Sequence, residues 1–155
     1  VDVTLAGIFA GSYWLTFTIG RILAGIFAGR VGVDKLVFGG LAGALVGAGL
    51  LLWNPSPSVN LIALAIIGLS IAPIFPAMMS GTRTRVGDDY AANTIGMQMA
   101  ATGLGTAVIP ATMGLLARQF SLEIIPLYLL VAYGGLLGCY VLAVMYPRSK
   151  AVVVA

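Results

Sequence analysis

Five apolar stretches, each long enough to cross a lipid bilayer as a helix, take up nearly all of this 155-residue chain. They run over about 7–29, 36–53, 59–79, 92–116 and 124–146, with short polar breaks between them. At 60% hydrophobic and 8% charged residues, there is too little polar surface to cover a water-soluble core. A helix of about 20 apolar residues does fit a bilayer, because it spans the hydrocarbon and satisfies its own backbone hydrogen bonds. The runs also lack the polar/apolar alternation of barrel strands. The fold class expected is therefore all-α, a polytopic transmembrane helical bundle over residues 1–147 with a cytoplasmic tail over 148–155. Its first partner is the lipid bilayer.

Pro55 and Pro57 stop the second run, and Pro73 and Pro76 fall near the end of the third, where they predict a kink and freed carbonyls near Leu69 and Ala72. A polar loop is expected over 80–90, and Asn93 is expected to cap the helix that follows. Pro110 interrupts the fourth run, and Pro126 fits a first helical turn. Gly39, Gly43 and Gly47 recur every four residues, as do Gly25 with Gly29 and Gly134 with Gly138, which predicts close helix packing along those stripes. The lone Cys139 reads as a small packing residue. Charge sets the expected orientation. Arg30, Lys35, Arg83, Arg85, Arg148 and Lys150 share one side, whereas the other side carries only Arg118. The first set is expected on the cytoplasmic face of the cell's inner (plasma) membrane, with this chain's N-terminus outside and its C-terminus inside.

Two groups of residues carry a family resemblance. The string Gly25-Ile26-Phe27-Ala28-Gly29-Arg30-Val31-Gly32 resembles the G-x-x-x-D-R-x-G signature of the major facilitator superfamily. Gly25, Arg30 and Gly32 match it. Gly29 replaces the aspartate, and Val33-Asp34 replace the trailing basic pair, as in a degenerate C-terminal copy. Ala72-Pro73-Ile74-Phe75-Pro76, Thr84-Arg85-Val86-Gly87 and Ala92-Asn93-Thr94-Ile95-Gly96-Met97-Gln98 look like the third-last and second-last helices of bacterial carriers similar to fucose permease. Gly20-Arg21 after Tyr13-Trp14 looks like the eighth helix of that group. The resemblance implies helices eight to twelve of a twelve-helix carrier, with the preceding helices as a partner. It implies secondary active transport of a small hydrophilic solute, a sugar with or without protons, by alternating access. In such carriers the proton-linked carboxylates lie in the N-terminal half.

A carrier needs a polar site near mid-membrane and helices that bend to expose it. Arg21 lies about eight residues from the cytoplasmic end of its run, about 12 Å deep. It reads as a solute ligand or internal gate, or as a structural anchor that snorkels to the cytoplasmic headgroups or bonds to carbonyls. Gln98, Thr102 and Thr106 share one face of the fourth run, where they could bind a hydroxylated solute, join helices, or bond back to the preceding turn. Tyr13 and Trp14 read as interface anchors or as a stacking surface for a sugar ring. Pro73, Pro76, Gly25, Arg30 and Gly32 are the candidate gating elements.

With no histidine, one cysteine and no acid within a run, metal clusters and nucleophilic triads have no residues to build them, so neither an enzyme nor a bound cofactor is expected. The scattered charge of +3 does not point to nucleic acid. A chain that begins at Val1 with an external start and an odd number of spans reads as truncated, its upstream helices missing. The other reading is a non-transporting membrane subunit whose glycine stripes serve assembly.

Overall fold

The computed structural model describes residues 3–54 and 56–145, apart from the side chains of 28 and 29. The tail over 148–155, with Arg148 and Lys150, lies outside the described residues, as does Pro55. Six helices follow one another: α1 (Val3–Val31), α2 (Val33–Trp53), α3 (Pro57–Ile71), α4 (Ile74–Val86), α5 (Asp88–Gln119) and α6 (Ile124–Met145). α3 and α4 form a single span, so five helical stretches are long and apolar enough to cross a membrane.

The breaks have local causes. Gly32 and Gly87 adopt φ of +84°, a conformation open to glycine and strained for other residues, and each ends one helix and starts the next. α2 stops at Asn54 in the left-handed region, whose side chain accepts a hydrogen bond from Asn60 across the turn. Ser56 then caps α3 by accepting from the Val59 amide at 3.4 Å, with Pro57 in the first turn. At Pro73 the chain stays in right-handed helical space but the ladder is interrupted, and it resumes as the Ala77 amide bonds the Pro73 carbonyl at 3.0 Å. Pro76 falls in the first turn of α4, where no amide donor is needed.

Several expectations are corrected. The loop over 80–90 contracts to Gly87, because α4 continues to Val86 with Arg83 and Arg85 in its last turn and α5 opens on Asp88 and Asp89. Both charge pairs suit the helix dipoles, so polar composition here marks helix ends rather than a loop. Asn93 is not a cap; Gly87 holds that position without a side-chain bond. α5 runs unbroken through Pro110.

α2 packs most extensively against α3, and α3 against α1, while α6 and α4 close on α2 and α5 leans on α4 and α6. Lipid does not drive helices together as water does, so close approach at small residues does much of that work. Gly20 of α1 is buried against α3, where an added Cβ would lie 2.7 Å from the Leu69 carbonyl oxygen and 2.8 Å from Ala72 Cβ. That carbonyl is the one deprived of its helical donor by Pro73, and it faces Gly20 where any larger residue would collide with it. On α2 the close-packed stripe is Gly40, Gly43 and Gly47, against Ser70, Ile74 and Ile67. Gly39 faces open space, as do Gly25 and Gly138, and Gly134 only reaches Leu45 at 4.0 Å. Gly43 and Gly47 of the expected stripe are in it, and Gly40 takes the place of Gly39 because a four-residue repeat drifts around a helix of 3.6 residues per turn. A core of Val37, Leu41, Ile74, Ala77 and Tyr140 joins α2, α4 and α6.

Candidate functional site

Two cavities flank α4. The first, about 760 Å3, lies among α1, α3, α4, α5 and α6 and is lined by Tyr13, Gln98 and Thr102, together with Phe75, Met79 and Ile109. The second, about 630 Å3, lies among α1, α2 and α4 and is lined by Arg21, Gly25, Pro73, Pro76 and Ser80, again with Phe75 and Met79. Both volumes fall in the range of small-molecule sites, about 300–1,000 Å3. Phe75 and Met79 therefore form a shared wall just beyond the Pro73 interruption.

On α1 a column runs between the two cavities. The Tyr13 and Phe17 rings stack with centroids 6.0 Å apart, and the Arg21 guanidinium lies 5.0 Å from the Phe17 centroid. Tyr13, Phe17 and Arg21 are spaced by four residues, which puts neighbours on adjacent turns of one face. Phe17 was absent from the sequence-derived set, although its i±4 relation to two candidates was the signal that could have found it. Trp14 lines neither cavity. It is 63% exposed and meets Tyr13 edge-on at 5.4 Å, a placement that fits the anchoring alternative.

Gln98 is half-buried and lines the first cavity, and its amide also meets the hydroxyl of Thr82 at 3.0 Å. Thr82, 3% exposed, bonds the Met78 carbonyl at 2.9 Å as well. The one hydroxyl proton of Thr82 is shared between two acceptors, the Met78 carbonyl and the Gln98 side-chain carbonyl oxygen. Thr82 thus ties α4 to α5, a role hidden while it was read as a loop residue. Thr102 donates to the Gln98 carbonyl at 2.8 Å and Thr106 to the Gly103 carbonyl at 2.8 Å. Their protons are committed to their own helix, and only oxygen lone pairs remain for the cavity.

Two of the polar turns, α1–α2 and α4–α5, meet at one end of the bundle. Arg85, in the last turn of α4, donates to Asp34 at the start of α2 and to the Tyr140 hydroxyl of α6 at 2.8 Å; Tyr140 in turn donates to Asp34 at 2.7 Å. The Arg85 guanidinium also lies 5.4 Å from the Tyr140 ring centroid. This cluster brings together the α1–α2 turn, the α4–α5 turn and the C-terminal part of α6. Gly32 makes the first of those turns, and Arg30 beside it is exposed. Arg83 pairs with Asp88 at 2.8 Å, but both are largely exposed, so that pair contributes little. Among the described residues no three His, Cys, Asp or Glu side chains gather to hold a metal.

Membrane-length helices, cavities of solute size beside an interrupted helix, and two charged turns joined to α6 are the features of a polytopic membrane protein of the transporter type. No curated protein and no solved structure matches the chain. The family model for the Major Facilitator Superfamily matches residues 1–154, and the chain belongs to that superfamily of multi-pass membrane transporters.

Proposed function

We propose that this chain is the C-terminal part, helices eight to twelve, of a carrier similar to fucose permease, which moves a small hydroxylated solute of the sugar class by alternating access. The observation that carries this reading is the convergence of Tyr13, Gln98 and Thr102, from helices far apart in sequence, on one cavity of about 760 Å3. A phenol, an amide and hydroxyl oxygens offer donors and acceptors without fixed charge, which suits a polyol. The solute path is completed by the preceding helices, which also supply any proton-linked carboxylate. The turns bearing Arg30, Lys35, Arg83 and Arg85 face the cytoplasm in this reading, as the excess of basic residues requires.

Uptake by the complete carrier in vesicles tests the site. Gln98→Ala is expected to lower uptake by about tenfold or more, the scale of a lost buried hydrogen bond together with the stranded Thr82. Unchanged uptake with normal expression would remove Gln98 from the solute path, and absence of uptake by the parent would favour the non-transporting subunit. The Pro73 interruption is the proposed joint on which α4 moves, carrying Phe75 and Met79 past both cavities. Restoring the ladder with Pro73→Ala and Pro76→Ala together should slow turnover several-fold while the solute's affinity stays within about twofold. Unaltered kinetics would remove the gating role.

A further inference from the structure

Arg21 differs from the other basic residues described. Ten residues separate it from the end of α1 at Val31, so it sits about 15 Å along the axis from the polar turn. That is deeper than the apolar run alone suggested, because α1 continues past residue 29. The ion pairs among the described residues are Arg83 with Asp88 and Arg85 with Asp34, and neither involves Arg21. The described acids, Asp34, Asp88, Asp89 and Glu123, all stand at helix ends or in the turn before α6. An arginine at this depth is costly unless a counter-charge, backbone carbonyls or the water of a cavity meet it, and Arg21 is exposed to the cavity beside α4.

The geometry says where that anion would sit. Phe17 occupies one face of the guanidinium, which leaves the in-plane N–H fork free. Arg21 borders the cavity of about 630 Å3, and the fork geometry matches a carboxylate in a bidentate arrangement. Beyond the shared Phe75 and Met79 wall lie the neutral groups Tyr13, Gln98 and Thr102. Tyr13 stands eight residues before Arg21 on the same helix, about 12 Å along the axis, within the reach of one small molecule and two extended side chains.

From this arrangement we propose that the solute is a small hydroxylated carboxylate, of the sugar-acid class, whose carboxylate binds the Arg21 guanidinium while its hydroxyl groups meet Tyr13 and Gln98 once α4 carries the Phe75 and Met79 wall aside. The proposal rests on the reading of the two cavities as one half of the solute path. It replaces a neutral sugar by its acid because a neutral solute leaves the deep cation unmatched.

The test uses the complete carrier in phosphatidylethanolamine and phosphatidylglycerol vesicles, with labelled D-gluconate, D-glucuronate and D-glucose as probes. At least one of the two carboxylates should be taken up more efficiently than glucose by about tenfold or more. Arg21→Gln should erase that preference, lowering carboxylate uptake relative to glucose on the order of 10- to 100-fold. Arg21→Lys, which keeps the charge but not the fork, should recover part of the carboxylate uptake. A parent carrier that favours glucose, or takes up neither carboxylate, overturns the proposal. Equal loss of all three solutes in Arg21→Gln and full recovery in Arg21→Lys also overturns it, and marks Arg21 as the partner of an acid on a facing helix. Failure of the underlying reading looks different: Gln98→Ala would then leave every solute untouched.

Discussion

Replacing Gly68 with leucine is expected to separate α1 from α3 and to leave little folded carrier in detergent extracts. Gly68 faces α1 so closely that an added Cβ would lie 2.6 Å from the Thr16 hydroxyl oxygen and 2.7 Å from the Tyr13 carbonyl oxygen. The Thr16 hydroxyl cannot swing away freely, because it bonds the Ser12 carbonyl at 2.9 Å and the Tyr13 carbonyl at 3.0 Å. The backbone oxygen cannot move without the helix. One turn further along α1, Gly20 meets Leu69 and Ala72 in the same way, so both sides of the seam contribute a glycine. Overpacking of a tight site costs about 1–3 kcal/mol for small additions, and a whole leucine against backbone should exceed that range. Monodispersity on size exclusion and thermal unfolding in detergent would measure the effect. Gly39→Leu is the matched control, since nothing lies within 4 Å of an added Cβ there, and it should stay within about 1 kcal/mol of the parent. Equal tolerance of both leucines would refute the seam as described. Displacement of α1 would also carry Tyr13, Phe17 and Arg21 away from α4, so transport should fail with stability in Gly68→Leu.

Removing the Arg85 side chain should produce the second largest effect. Arg85, Asp34 and Tyr140 join α4, α2 and α6 at the end of the bundle that holds the α1–α2 and α4–α5 turns. Tyr140 is 5% exposed, whereas the Asp34 side chain is 58% exposed, so solvent screens the ion pair more than the phenol bonds. Hydrogen bonds to charged groups contribute about 1.5–3 kcal/mol, and Arg85→Ala removes two while also stripping the cation from the Tyr140 ring. A loss of about 2–3 kcal/mol is expected, against about 1–2 kcal/mol for Tyr140→Phe, which keeps the Arg85–Asp34 contact. A double-mutant cycle between Arg85→Ala and Asp34→Asn should show coupling of at least about 0.5 kcal/mol. Strict additivity would mean that the cluster is a surface coincidence. α4 is held at this end by Arg85 and interrupted at the other by Pro73, so weakening the cluster should also free α4 and change turnover.

The helical character of the chain was readable from residue order, and particular residues show why. The run that became α2 was placed at 36–53 and observed as Val33–Trp53, because Pro55, Pro57 and the apolar content bound it from both sides. The stretch after residue 80 was misread. Thr82, Arg83, Thr84 and Arg85 are polar enough to look like a loop, yet they form a helical turn packed on α5, since a helix emerging from the apolar layer still has to satisfy its backbone. Of the candidate site, Gln98 with Thr102 was legible from four-residue spacing alone. That Tyr13 joins them, and that Arg21 faces a different cavity, depended on how α1 lies across α3 and α4.

Apolar run length and glycine-proline punctuation, taken alone, determined that this chain is helical and membrane-spanning, because those properties follow from local hydrogen bonding and the thickness of lipid. Which glycine carries a seam, which threonine binds a glutamine, and which aspartate meets an arginine were decided by tertiary packing. Asp34 and Tyr140 stand 106 positions apart, as do no two residues that any helical period can relate. Between helices, contacts depend on rotation about each axis. A shift of one position turns a helix face by about 100°, and only the packed bundle sets that angle.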